Sequence, residues 1–210
     1  KISGIFTEGE MPKARDVIDA KGFVAMPGLI NAHSHAAMTL LRGIADDLPL
    51  HEWLTEHIFP AEARLVTPEF IKAGVALAAC EMIRSGTTFF SDMYFYEDIA
   101  AELIRDIGMK AAVGEGILGF PTPRYKTPQE ALKITEALIA QWKGDSWIFP
   151  VVAPHSVYTC PPDVFEKAAA LAAEHDIPLH THLSETAQEV AECFEKNRIS
   201  PVAYLKEKGV

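Results

Sequence analysis

The chain has 210 residues, of which 49% are hydrophobic and 23% are charged, a balance typical of a globular domain with a buried core. Its 19 basic and 29 acidic residues give a net charge of −10, which argues against nucleic acid or an anionic membrane surface as a partner. No run of about 18 apolar residues predicts a transmembrane helix, and no secretion signal opens the chain. The three cysteines form no CxxC pair, which excludes a thiolate zinc site and fits a cytoplasmic location.

The first 24 residues differ from the rest of the sequence. They contain two short segments with β-strand character, the second of which covers Asp16 to Ala20. We therefore expect residues 1–24 to belong to a small β-sandwich-like unit that flanks the main domain, residues 25–210. The chain starts inside strand-like sequence and stops directly after a helical pattern, so we expect it to be part of a longer protein.

The main domain alternates short apolar runs, which predict strands, with amphipathic segments, which predict helices. Strands are predicted near residues 24–35, 87–92, 110–117, 147–153 and 178–182. Helices are predicted between Thr67 and Gly86 and over 98–107, 127–142, 160–174, 186–196 and 201–208. Strands joined by helices, without hairpins, favour a parallel sheet of the α/β class.

Two sheet architectures fit this alternation, and the motifs favour one of them. The first strand–helix turn lacks the GxGxxG of a dinucleotide-binding sheet. Polar side chains instead follow the strands, where a (β/α)₈ TIM-type barrel collects its active site. A full barrel needs about 250 residues, so the chain is expected to hold about five of the eight strands. The strand-end residues are His33, His35, Asp92, Glu115, His155 and His182.

Three of these histidines form a predicted metal site. His33 and His35 lie two positions apart at the end of the first strand, so both side chains point to the same side. His182 ends the fifth strand and supplies a third nitrogen. Three protein ligands with an open position are typical of a catalytic metal, which lowers the pKa of bound water to about 7. His180 shares a face with His182 but lies one layer deeper, where it is expected to pack inside the barrel.

Glu185 follows His182 by three residues. A carboxylate at that distance can stand near a metal-bound water without being a ligand, take its proton and pass it to a leaving group. Without a metal at His182, the same residue would be an ordinary acidic side chain at a helix N-terminus, stabilised by the helix dipole.

Five stretches spread along the chain carry a family resemblance. They are Met26-Pro27-Gly28-Leu29-Ile30-Asn31-Ala32-His33-Ser34-His35, Ser85-Gly86-Thr87-Thr88, Ser91-Asp92-Met93-Tyr94, Ala153-Pro154-His155-Ser156 and Thr181-His182-Leu183-Ser184-Glu185-Thr186. In this order they resemble the amidohydrolase superfamily. Within it they are most similar to the 5′-methylthioadenosine/S-adenosylhomocysteine deaminases and their chlorohydrolase relatives.

The resemblance implies roles for residues that match the family by position. His33, His35 and His182 would bind the metal, usually zinc, and Glu185 would shuttle the proton. Binuclear members carry a carboxylated lysine at the end of strand four. The corresponding strand here has no lysine, so one metal is expected.

Three further matches concern the substrate. Glu62 corresponds to a carboxylate that holds ribose hydroxyls, Trp53 to a residue that lines the purine pocket, and His155 to a strand-end histidine that contacts substrate. From the residues alone, Glu62 could equally be a solvated loop charge and Trp53 a core residue.

The chain also departs from the family. The further histidine after strand six and the aspartate after strand eight would lie beyond Val210. Glu115 stands where some deaminases have an arginine for the amino-acid tail of the substrate, and an acid there would repel a carboxylate. S-adenosylhomocysteine is therefore a doubtful substrate, although Arg124 could substitute from the following loop.

The sequence thus predicts an enzyme that hydrolytically deaminates an adenine-type nucleoside, with metal-activated water attacking the ring carbon that bears the amine. A chlorohydrolase or guanine-deaminase-like hydrolase of another heteroaromatic ring is the alternative, and a non-catalytic fragment is a third. The expected partners are a small-molecule substrate and a further copy of the chain in a homo-oligomer.

Overall fold

A parallel β-sheet with helices packed against it forms the centre of the computed structural model, which describes residues 2–7 and 9–210. Four strands lie side by side in chain order. The fifth pairs with the third strand, beyond the end of the fourth. Every pairing is parallel, as the alternating pattern predicts. The strands are β1 (Leu29–Ser34), β2 (Thr87–Tyr94), β3 (Lys110–Ile117), β4 (Ile148–Pro150) and β5 (Ala153–Pro154).

The last two predicted strands are less regular than expected. The predicted strand over 147–153 is divided into β4 and β5, each of which ends in a proline. Pro150 has no N–H for the ladder and regular pairing stops there, although the N–H of Val151 still donates to the carbonyl of Val113. The predicted strand over 178–182 makes only two parallel bridges, which join Val152 to Leu179 and Ser156 to His182. The order of the segments around the sheet is nevertheless the predicted one.

Six helices match the predicted ones closely, whereas the two that lie within residues 50–65 were not predicted. Side-chain caps mark where four of the six begin. Thr67, Thr127, Thr186 and Ser200 each accept a hydrogen bond from the backbone N–H three residues later. The helices are α1 (Leu50–Glu52), α2 (Phe59–Leu65), α3 (Pro68–Arg84), α4 (Glu97–Ile107), α5 (Pro128–Trp142), α6 (Pro162–His175), α7 (Ala187–Asn197) and α8 (Pro201–Glu207).

Two segments have helical turns that differ from those of an α-helix, one tighter and one wider. A 3₁₀ helix, Ala36–Leu41, follows β1 directly. A π-helix, Trp53–Ile58, joins α1 to α2, so that residues 50–65 form one helical segment. Wide turns of this kind often occur at functional sites because they re-aim side chains.

The hydrophobic core lies between the sheet and the helices. Phe90 on β2 and Val113 on β3 are completely buried, as are Ile104 on α4 and Phe165 on α6. Side chains from the strands and from the surrounding helices pack together in this core and fix the strands. The residues that follow the strands are therefore held in defined positions.

The N-terminal region does not form the predicted strands. The described residues before Leu29 contain neither a strand nor a helix. Val17, Ile18 and Phe23 are each more than 80% exposed. A strand needs a neighbour to pair its backbone groups, and within the described part of the chain Asp16 to Ala20 have none. The assignment of residues 1–24 to a flanking β-unit remains a prediction.

Candidate metal centre and adjoining cavity

Residues at the carboxyl ends of the strands meet at one edge of the sheet. His33 and His35 come from the end of β1, and His182 comes from the segment bridged to Ser156 after β5. The Nε2 atom of His182 lies 3.2 Å from Nε2 of His33 and 3.3 Å from Nε2 of His35. All three ligand atoms lie within 4.8 Å of one another. Two nitrogens bound to one tetrahedral zinc ion are separated by about 3.3 Å, so the spacing fits a single ion.

The hydrogen bonds of these histidines show why a cation fits between them. Nδ1 of His182 donates to the carbonyl of His155 at 2.9 Å, and Nδ1 of His35 donates to the carbonyl of Met93. A carbonyl only accepts, so each Nδ1 carries the hydrogen and each neutral ring leaves its Nε2 with a free lone pair. Lone pairs that face each other repel unless a positive ion lies between them. Burial, together with the smaller effect of the neighbouring histidines, lowers the pKa of His35 to about 4 although the hydrogen bond to Met93 opposes the change, and the ring stays neutral.

His33 is held differently. Its Nδ1 lies 3.2 Å from Nε2 of His180, whose Nδ1 lies 3.1 Å from the hydroxyl of Ser91. His180 thus contacts one ring nitrogen of His33 while His182 contacts the other, so it orients His33, although the sequence predicts only a packing role for it.

Asp92, near the end of β2, supports the turn after β1. Its Oδ1 accepts hydrogen bonds from the backbone N–H of Ala36 at 2.8 Å and from the hydroxyl of Ser34 at 3.1 Å. The side chain is completely buried, and desolvation raises its pKa to about 6. Asp92 therefore contacts both neighbours of His35, the backbone of Ala36 and the side chain of Ser34.

Glu185 lies beside the cluster on a turn with unusual backbone geometry. Ser184 has a φ of 56°, in the left-handed region. The buried carboxylate of Glu189 accepts the N–H of Ser184 at 3.0 Å and that of Glu185 at 2.6 Å. Its own N–H donates to Thr186 at 3.1 Å. The Thr-x-x-Glu spacing of a capping box was the signal that sequence analysis could have used to find Glu189.

The side chain of Glu185 is exposed and reaches the cavity, and its Oε2 accepts a hydrogen bond from the hydroxyl of Tyr158 at 3.2 Å. Its carboxylate is therefore available to a ligand, while its backbone is fixed.

A cavity with about 590 Å³ of open space adjoins the histidines. Its wall is mainly apolar and comes largely from the helical segment 50–65 and from the ends of β2 and β3. The predicted substrate residues Trp53, Glu62 and His155 all line it, together with His35, His182 and Glu185. The other lining residues are Met38, Leu50, Leu54, Ile58, Phe59, Met93, Tyr94, Phe95, Gly116, Leu118 and Tyr158.

Glu62 is the buried acid of this cavity. Its residue is 5% exposed, so it is not the solvated loop charge considered above. Its Oε1 accepts a hydrogen bond of 2.6 Å from the hydroxyl of Tyr94. Burial raises the pKa of Glu62 to about 7, although the Tyr94 hydrogen bond opposes that rise. Sequence analysis did not single out Tyr94, because an aromatic residue near a strand end looks like core.

Trp53 lines the cavity from the π-helix, and His155 lines it from the segment that follows β5. The indole N–H of Trp53 donates to the carbonyl of Ile44 at 3.2 Å, which fixes the ring at the cavity. The His155 ring lies 4.6 Å from that of His182, and its Nδ1 is 2.8 Å from the hydroxyl of Thr159. Desolvation lowers the pKa of His155 to about 3, so the ring is neutral.

Glu115 does not have the role that sequence analysis considered. It is completely buried and does not line the cavity. Its carboxylate accepts the N–H of Glu97 at 3.1 Å and that of Tyr96 at 3.4 Å, at the start of α4. The argument that Glu115 repels a substrate carboxylate is therefore wrong, because the side chain points at a helix N-terminus. Arg124 pairs with Asp98 at 2.8 Å instead.

Comparisons with known proteins identify the family. The model of the Amidohydrolase family matches residues 24–206, and the chain belongs to this family. It is 50% identical over 184 residues to a 5-methylthioadenosine/S-adenosylhomocysteine deaminase of Thermodesulfovibrio yellowstonii, covering 88% of this chain and 42% of that protein. It is also 50% identical to the protein of the same name from Syntrophobacter fumaroxidans, covering 94% of this chain and 45% of that protein.

A solved structure agrees with these relatives. The crystal structure of an adenosine deaminase from Xanthomonas campestris with bound zinc superposes with a TM-score of 0.85 at 44% identity, covering 88% of this chain and 42% of that one. The chain therefore spans less than half the length of the proteins it matches. Among the described helices, none combines the length and the apolar character needed to cross a membrane.

Proposed function

We propose that the intact protein is a zinc-dependent hydrolase that deaminates adenine-type nucleosides. The observation that carries this proposal is the convergence of three Nε2 atoms, 3.2 and 3.3 Å apart, at the end of an apolar cavity that also contains a carboxylate, Glu185. The deaminase relatives at 50% identity and the zinc-containing adenosine deaminase at 44% identity support the same reaction.

His33, His35 and His182 would hold one divalent ion, in our proposal zinc. Such an ion makes water nucleophilic at neutral pH. The chain holds these ligands through Met93, the carbonyl of His155 and the ring of His180. Hydrogen bonds of this kind set the tautomer and direction of a ligating histidine.

Glu185 would move the protons of the reaction. Deamination adds the oxygen of water to the ring carbon and breaks the bond from that carbon to the amino nitrogen, which leaves as ammonia. The carboxylate of Glu185 would accept a proton from water and donate it to the ring nitrogen, and then assist the departure of ammonia. Zinc and a glutamate that is not a ligand carry out the same chemistry in nucleobase deaminases of other folds.

The cavity wall would bind the nucleoside. The apolar surface around Trp53 suits a flat purine ring, and the buried carboxylate of Glu62 suits two ribose hydroxyls. His155, held neutral by burial, would contact the substrate beside His182. Since Glu115 lies outside the cavity, S-adenosylhomocysteine is included with methylthioadenosine and adenosine as a substrate.

The test is ammonia release by the intact, zinc-loaded protein from adenosine, methylthioadenosine and S-adenosylhomocysteine. Release from at least one nucleoside, lost in Glu185→Gln while zinc is retained, is the expected result. Zinc-loaded protein that releases no ammonia from any purine nucleoside but hydrolyses guanine or a chlorinated triazine would overturn the proposal in favour of the other ring hydrolases.

A further inference from the structure

The hydrogen bond between Glu62 and Tyr94 joins two different walls of the cavity. Glu62 projects from α2, and Tyr94 is the last residue of β2. Both residues line the cavity, and each is only 5% exposed. The 2.6 Å distance is that of a short hydrogen bond between a phenol and a carboxylate. The helix-borne acid is thus tied to the rigid sheet.

The bond uses only part of the accepting capacity of Glu62. The phenol occupies one position on Oε1, and Oε2 has no hydrogen-bond partner among residues 2–7 and 9–210. A carboxylate offers about four acceptor positions in its plane. With Oε1 fixed by Tyr94, the plane of the group is set, and the remaining positions are available to a ligand in the cavity.

Two neighbouring hydroxyls of a ribose need two such positions at once. A carboxylate that rotates about its last bond meets this requirement only part of the time, and ordering it costs binding free energy. A carboxylate that is already oriented avoids this cost.

We propose that Tyr94 is a positioning residue for nucleoside recognition, whose phenol orients Glu62 to accept both ribose hydroxyls. This inference rests on the proposed function, in which Glu62 is the ribose-binding acid. Tyr94 itself acts through Glu62, so its effect is confined to substrates that carry the hydroxyls.

The experiment compares Tyr94→Phe with the unmodified intact protein, using adenosine and 2′,3′-dideoxyadenosine as substrates. Phenylalanine keeps the ring, which lies 4.9 Å from the ring of Phe95, and removes only the hydroxyl. A hydrogen bond to a charged group contributes enough for a change in KM of about tenfold or more. We expect the KM for adenosine to rise by about tenfold with kcat changed less than about twofold, and the KM for the dideoxy compound to be unchanged.

Two further variants separate the possible causes. Tyr204→Phe is a matched control, because Tyr204 packs against Phe165 away from the cavity and should leave both KM values unchanged. In Glu62→Gln, the KM for adenosine should no longer be lower than the KM for the dideoxy compound.

Each outcome identifies what has failed. Equal rises in KM for both substrates in Tyr94→Phe, or no rise for either, would overturn the role of Tyr94. If Glu62→Gln also leaves the preference for adenosine intact, the ribose-binding role of Glu62 is overturned as well. If the zinc-loaded protein releases no ammonia from either substrate, the proposed function fails, and binding of the two nucleosides measured by calorimetry then tests Tyr94 by itself.

Discussion

The two sides of the cavity are built in different ways. On the histidine side, backbone carbonyls at strand ends hold the rings of His35 and His182. On the other side, the helical segment 50–65 presents Trp53 and Glu62, which are held by the carbonyl of Ile44 in the preceding loop and by the side chain of Tyr94. In the proposed function this difference separates the chemistry from the choice of substrate: the first side is held by backbone groups at the strand ends, whereas the second lies on a helical segment that the sheet holds through one side chain, that of Tyr94.

The largest effect is expected from removal of a histidine that the sheet holds. His182→Ala removes the ring that faces both His33 and His35, so only two of the three proposed metal ligands remain. We expect loss of bound zinc and a fall in kcat/KM on the order of 10⁴-fold. Metal analysis of the purified variant, together with ammonia assays, checks this, and a variant that keeps one zinc per chain would contradict the assignment.

Glu185→Gln separates the proton carrier from the metal. The amide keeps the shape of the side chain but cannot take a proton from water, so kcat should fall by about 10²–10⁴-fold. Zinc content should be unchanged, because Glu185 is not one of the three clustered ligands. Retained activity in the presence of normal zinc content would rule out Glu185 as the acid–base group.

His180→Gln tests whether the deeper layer matters to the metal. Losing the ring that contacts Nδ1 of His33 should weaken zinc binding by about 10–100-fold, the range for partners of ligating histidines. Competition with a chelator measures the affinity directly. His175→Gln, at the end of α6 and away from the cluster, serves as the control and should show the affinity of the unmodified protein.

Substrate binding at the helical segment 50–65 should depend on pH through the ionisation of Glu62. Burial raises the pKa of this acid to about 7, so the ionised form that accepts hydroxyls is lost as the pH falls below that value. The KM for adenosine should therefore rise by up to about tenfold per pH unit below about 7. Since 2′,3′-dideoxyadenosine lacks the hydroxyls, its KM should not show this rise. A parallel rise for both substrates would place the titrating group elsewhere.

The same contrast explains how much the sequence revealed. The alternation of strands and helices, and the two-residue spacing of His33 and His35, follow from local periodicity, which a sequence displays directly. The joining of these residues with His182 followed from the rule that parallel strands end at one edge. Local chemistry also predicted where the helices that follow Thr67 and Thr127 begin.

Contacts between distant side chains were not readable in this way. Nothing near Tyr94 in the sequence indicates that its hydroxyl meets Glu62, 32 residues away. Glu115 stands at a family position, but the start of α4 takes its carboxylate, and only the packed structure shows that direction. The interruption between β4 and β5 was more accessible, because Pro150, where β4 ends, is visible in the sequence.

The end of β2 serves both sides of the cavity within three consecutive residues. Asp92 braces the turn beside His35, the carbonyl of Met93 holds its ring, and Tyr94 holds Glu62. Because side chains alternate along a strand, an insertion or deletion of one residue before Asp92 would exchange inward and outward positions. Such a frame change in a single strand would disable the proposed metal site and the proposed ribose site together, so the helices can accept substitutions far more freely than this strand.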